Sequence, residues 1–155
     1  MHTFAGGFRT DSDDYKNMEK KRHIKVAGVL FFVWTAVILY GSLSPGDDLP
    51  PMGWLARIPH FDKIVHFCFY LGQVLLLLLW LHPSRGNRIW VALCAIIFSG
   101  TIELLQGEYF DRSADWLDFA ANSAGALAGI PLARLAERLI FKKDSGNETP
   151  PNNDN

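Results

Sequence analysis

The stretch DKIVHFCFYLGQVLLLLLWL, from Asp62 to Leu81, decides the fold. It opens on ionisable side chains and ends as hydrocarbon. From Ile64 to Leu81, about 18 residues carry no formal charge apart from a titratable histidine, long enough to cross a bilayer. Plotted at about 100° per residue, Asp62, His66, Tyr70 and Gln73 fall within an arc of roughly 80°. A helix on the surface of a soluble domain shows a much wider polar face. The stretch therefore predicts a membrane-spanning helix whose narrow polar stripe faces protein or water, not lipid.

Working outward, the apolar residues form further blocks of similar length. Ile24 to Leu43 is an uncharged run of about 20 residues, and Ile89 to Gln106 one of about 18, broken only by Ser99, Gly100, Thr101 and Glu103. The first run exceeds the usual ~7–15 residues of a signal-peptide core and Pro45 follows it closely, so a retained helix is expected rather than a cleaved leader. The segment Trp116 to Leu135 is diluted by Asn122, Ser123 and Pro131. It carries Ala121, Gly125 and Gly129 at every fourth position, however, the small-residue ridge by which membrane helices approach closely. A tilted fourth helix enclosed by protein is expected there.

At 155 residues the chain fits one domain. Its 49% apolar content and mean hydropathy of +0.08 look ordinary because polar tails dilute the apolar blocks. The expected division is a disordered tail over 1–23, a four-helix membrane domain over 24–139 and a second tail over 140–155. A formal charge of −1 argues against a nucleic-acid binder. Cys68 and Cys94 fall at depths that differ by roughly 10 Å, too far for a disulfide, and read as small apolar fillers. Pro45, Gly46, Asp47, Asp48, Pro50, Pro51, Gly53 and Pro59 mark a loop after the first helix, with Trp54 and Leu55 placed to lie at an interface.

Of the 15 Lys and Arg residues, Arg57, Lys63 and Arg112 alone fall on one side of this arrangement. Arg9, Lys16, Lys20, Lys21, Arg22, Lys25, Arg85, Arg88, Arg134, Arg138, Lys142 and Lys143 fall on the other. The positive-inside rule then puts both termini in the cytoplasm and requires an even number of spans. With that orientation, and a rise of ~1.5 Å per residue, Asp62 sits at the outer interface, His66 about 6 Å down and Tyr70 about 12 Å down. Glu103 lies about 5 Å below Gln106 in the third helix. Asp115, Asp118 and Asn122 share a face of the fourth. Three helices thus bring polar groups to one depth, where an ionised carboxylate without partners costs at least ~2.5–3.5 kcal/mol. The reading is an outward-opening pocket with His66, Glu103 and Asp118 as catalytic candidates. Asp62, Tyr70, Gln106, Arg112, Asp115 and Asn122 are its ligand-binding candidates. Gln73, Ser99 and Thr101 are assigned to interhelical hydrogen bonds, and Trp80, Trp90 and Trp116 to aromatic belts.

The spacings D-K-x-x-H-F-x-x-Y at Asp62 to Tyr70, E-x-x-Q at Glu103 to Gln106 and R-x-x-D-x-x-D-x-x-x-N-x-x-G from Arg112 to Gly125 resemble the VanZ-like family of bacterial membrane proteins. S-L-S-P after the first helix is similar to that family's exit from its first span. The resemblance covers roughly Ile24 to Leu135. It implies a four-helix protein of the bacterial inner membrane, in a family named for a protein associated with low-level teicoplanin resistance. It implies no settled reaction. Two main readings follow: an enzyme acting on a lipid or lipid-linked headgroup, with His66 or Glu103 as base, Asp118 orienting it and Arg112 holding phosphate; or a non-catalytic binder of a wall precursor or antibiotic. A proton-coupled carrier ranks below both, because the inner half of the second helix is bare leucine. No cofactor is expected, and no metal-ligand spacing demands an ion.

Overall fold

The computed structural model describes residues 11–44, 58–84, 86–109 and 115–141. They form four helices, α1 (Asp11–Leu43), α2 (Phe61–Leu81), α3 (Asn87–Tyr109) and α4 (Trp116–Phe141). Among the described residues there is no strand. The sequence places α2, α3 and α4 within a few residues of these bounds, but α1 begins well before Ile24. Residues 11–23, read above as part of a disordered tail, continue the helix. They are rich in good helix formers and carry an i,i+3 pair, Arg22 Nη2 to Glu19 Oε1 at 3.5 Å, so the extension forms without an apolar face. Arg112, Trp54 and Leu55, and the tail beyond Phe141, lie outside the described residues.

Local chemistry sets the helix ends. His82 closes α2 in the left-handed region, φ 45°, and its N–H donates to the Leu78 carbonyl at 3.0 Å. Asp115 opens α4: its Oδ1 accepts the Leu117 N–H at 2.8 Å, as an N-cap does. Pro131 lies inside α4 without ending it.

The most extensive helix contact is α2 against α4, and the small-residue ridge makes it. A Cβ added at Gly125 would stand 2.1 Å from the Phe67 carbonyl oxygen, and one at Gly129 would stand 2.9 Å from Val74 Cβ. Backbone meets backbone there, and no larger side chain fits. Helices α1 and α2 interlock by exchange of tryptophans: Trp34 covers Gly72, and Trp80 covers Gly28. The Trp34 indole N–H donates to the Phe69 carbonyl at 2.8 Å. Trp80, assigned above to an aromatic belt, packs here against Phe31 and Phe32. Ile38, Tyr70, Val74, Leu78, Ala95, Ile102, Ala126 and Ala133 form the core.

The exterior is more apolar than water permits. Phe32, Ile97, Leu104 and Leu139 are each more than 60% exposed, and such a continuous apolar surface belongs in lipid. Cys68 and Cys94 lie on this exterior as free thiols rather than as core fillers. Among the described residues, three helices are long and apolar enough to cross a membrane: α1 over Asn17–Leu43, α2, and α3 over Asn87–Glu108. Helix α4 is not among them; Asp118, Asn122, Ser123, Arg134, Glu137 and Arg138 dilute its apolar residues.

Candidate functional site

At the Asp62 end of the bundle, the hub is Lys63. Its Nζ lies 2.8 Å from Asp62 Oδ2, 2.5 Å from Asp115 Oδ2 and 2.6 Å from Asp118 Oδ1. Three carboxylates from α2 and the start of α4 share one ammonium. The Lys63 bond holds the Asp115 carboxyl below its usual range, aided by the Leu117 N–H. Asp115 is therefore at once a helix cap and an ion-pair partner.

One turn along α2, His66 is flanked by α3 and α4. Its Nδ1 lies 3.1 Å from Asn122 Oδ1 and 3.8 Å from Glu103 Oε1. Its Nε2 lies 3.8 Å from Asp118 Oδ2. Asn122, 1% exposed, also donates its amide Nδ2 to Glu103 Oε1 at 3.2 Å. One carboxamide thus ties α2 to α3. Glu103 is itself buried, 7% exposed, and one ligating atom from each of His66, Glu103 and Asp118 lies within 4.8 Å of the other two.

The remaining candidates divide. Tyr70 is buried, 1% exposed, one turn beyond His66. Its hydroxyl lies beside Ser99, although neither oxygen completes a hydrogen bond in good geometry. Asp62 is exposed and joins through Lys63 alone. Gln106 is turned away from the cluster: its amide donates to the Ser42 carbonyl at 2.5 Å, a strut between α3 and α1. Gln73 donates to Thr35 Oγ1 at 3.1 Å, the interhelical bond expected of it. Thr101 instead bonds the Ile97 carbonyl of its own helix.

An apolar groove runs between α3 and α4 beside the cluster, with a volume of about 260 Å³. Ile97, Leu104, Trp116 and Phe119 line it, and Glu103 and Asp115 stand in its wall. The groove joins the apolar exterior to the carboxylates.

The sequence offers Lys63, with Arg112 and His66, as a partner for the carboxylates but not as a site residue, and the structure makes it the ion-pair partner of three of them. One feature escaped the sequence reading, at the His82 end, where Arg88 Nη2 donates to both Glu137 oxygens, at 3.0 and 2.8 Å, linking α3 to α4. His82 Nδ1 lies 3.5 Å from Glu137 Oε1. Burial holds the His82 imidazole below its ordinary value; Glu137 opposes this, and the Lys20 and Arg88 charges add to it.

A family model described as VanZ/LLP1 matches residues 8–137 of the chain. No curated protein and no solved structure matches it.

Proposed function

This chain belongs to the VanZ/LLP1 family, and we propose from that premise that it takes the headgroup of a lipid or lipid-linked molecule at its Asp62 end. In this reading α4 is a fourth span and both termini are cytoplasmic, as the distribution of lysine and arginine requires. The Asp62 end then faces the outer leaflet of the inner membrane.

The observation that carries the reading is the groove. It offers hydrocarbon contact along Ile97, Leu104 and Phe119 and carries Glu103 and Asp115 in its wall, the two-part environment that an acyl or isoprenyl chain with a polar head demands. A soluble ligand would gain nothing from lining residues that already lie against lipid. The polar groups add support: four carboxylates, a lysine, a histidine and a carboxamide are held at one end by mutual bonds. Such groups in a spanning protein mark functional sites by default.

In the catalytic form, His66 accepts a proton through Nε2 while Asn122 fixes the ring. Asn122, at 3.1 Å, takes the orienting role that the sequence assigned to Asp118. In the binding form the same groups hold the headgroup without turnover, and a wall-precursor headgroup links this to glycopeptide susceptibility, as the family resemblance implies.

The test is to reconstitute purified protein in nanodiscs with extracted bacterial lipids and follow lipids and products by mass spectrometry. Wild type, Glu103→Gln and His66→Ala are compared. Turnover lost in both variants supports the enzyme; one retained lipid class without turnover, released in both variants, supports the binder. Lipid content matching the bulk in wild type defeats both.

A further inference from the structure

We infer that His66, Glu103 and Asp118, whose ligating atoms lie within 4.8 Å of one another, bind one divalent cation of the Zn²⁺ or Mn²⁺ class, with its remaining coordination positions open to the groove.

The inference begins with a chain of hydrogen bonds that starts outside the three ligands. Glu103, as a carboxylate, only accepts, so the Asn122 atom 3.2 Å from it is the amide nitrogen. The Asn122 oxygen must then face His66 Nδ1, at 3.1 Å, and Nδ1 must carry the ring proton. That leaves the Nε2 lone pair directed toward Asp118 Oδ2 at 3.8 Å. With the ring neutral, two electron-rich atoms face each other, and a cation bound between them would hold both. Ligands ~2.1 Å from a tetrahedral ion lie ~3.4 Å apart, so closing this gap needs a shift of a few tenths of an ångström. Metal-ligating histidines characteristically donate their other ring N–H to such a partner.

A second observation is independent of these bonds. The Tyr70 and Ser99 hydroxyls, 1% and 0% exposed, complete no hydrogen bond. They belong to residues one helical turn beyond His66 on α2 and Glu103 on α3, and in this proposal they would donate to an oxygen ligand on the inner side of the ion. Charge points the same way. Among the described residues, four carboxylates face one lysine, and that lysine is engaged by three of them. One imidazole with two carboxylates suits Zn²⁺ or Mn²⁺; Mg²⁺ and Ca²⁺ prefer oxygen alone. Binding of the ion stands apart from the lipid reading. Its use, holding a headgroup phosphate oxygen at the open positions, rests on the binding form of that reading, because an Nε2 on the ion no longer serves as a base.

Tag-free, full-length protein would be stripped with chelator, equilibrated with Zn²⁺ or Mn²⁺ in excess Mg²⁺, dialysed and assayed for metal by mass spectrometry. The expected result is about one Zn²⁺ or Mn²⁺ per chain, with affinity weakened about 10–100-fold even by the indirect change Asn122→Ala. Binding should be lost in His66→Ala and Glu103→Gln but kept in Glu108→Gln, an exposed carboxylate on the same helix. Mn²⁺-loaded wild type should also show imidazole nitrogen couplings by electron spin echo, which needs no variant to fold. Helical wild type without stoichiometric metal, metal without nitrogen couplings, or equal binding in folded His66→Ala overturns the inference. Lipid retention measured on the same samples separates the outcomes: retention without metal sinks the ion alone, and metal without retention sinks the lipid reading alone.

Discussion

Asn122 Oδ1 stands 3.1 Å from His66 Nδ1 while its Nδ2 donates to Glu103 at 3.2 Å. A single buried carboxamide on α4 thus dictates the tautomer of a histidine on α2 and the position of a glutamate on α3. Asn122→Leu strands both partners in a buried setting. The expected cost is about 1–3 kcal/mol, read as a lower unfolding midpoint in detergent, with lipid retention lost. Unchanged retention in folded Asn122→Leu contradicts the positioning role.

The closeness of α2 and α4 depends on Gly125. Gly125→Ala puts a methyl into the Phe67 backbone and must separate the helices, a cost of about 1–3 kcal/mol or more. Gly129→Ala meets Val74 Cβ at 2.9 Å and the Leu71 carbonyl oxygen at 3.1 Å, a milder approach that still forces a shift, and should cost less. Gly86→Ala meets nothing within 4 Å and should be neutral. Thermal midpoints of the three variants should rank in that order.

Lys63→Met leaves Asp62, Asp115 and Asp118 without their shared cation. The expected result is a lower unfolding midpoint near neutral pH. Because the folded-state value of Asp115 is depressed by Lys63, its stabilisation is present above the ordinary carboxylate value of ~3.9 and is lost as pH falls through the lower folded value. Wild type should lose stability over that acid range more steeply than Lys63→Met, as unfolding at stepped pH would show.

Much of this architecture is legible in the sequence, for reasons that differ by element. Helices α2 and α3 are visible because uncharged length is a direct consequence of the bilayer. Helix α4 is visible only through its glycine ridge and the count of cationic loops, since Asn122 and Ser123 point inward and lower its hydropathy. Depth arithmetic brings His66, Glu103, Asp118 and Asn122 to one level, and they do meet. It cannot supply rotation about the helix axis. Gln106 lies only three residues from Glu103, yet that step of about 60° turns it toward Ser42 on α1. The Arg88–Glu137 pair was hidden because each residue reads as an ordinary charge at a helix end.

The His82 end carries its own pH response. Burial lowers the folded-state value of His82, so the unfolded chain binds the proton more readily. Stability should be full above the unfolded value of ~6.5 and should decline as pH falls below it. His82→Asn, which tolerates the left-handed backbone, should flatten the profile between about pH 5 and 7. An identical slope in His82→Asn rules out this assignment.

The account as a whole turns on whether the groove beside Glu103 holds a particular lipid. A photo-reactive benzoylphenylalanine at Leu104, in the groove wall, and another at Val37, on the exterior of α1, would be irradiated in native membranes and the adducts identified by mass spectrometry. The prediction is one lipid class enriched at position 104 over position 37, with the enrichment abolished by Glu103→Gln. Adducts at both positions that mirror the bulk membrane contradict the claim that this end of the bundle recognises a headgroup.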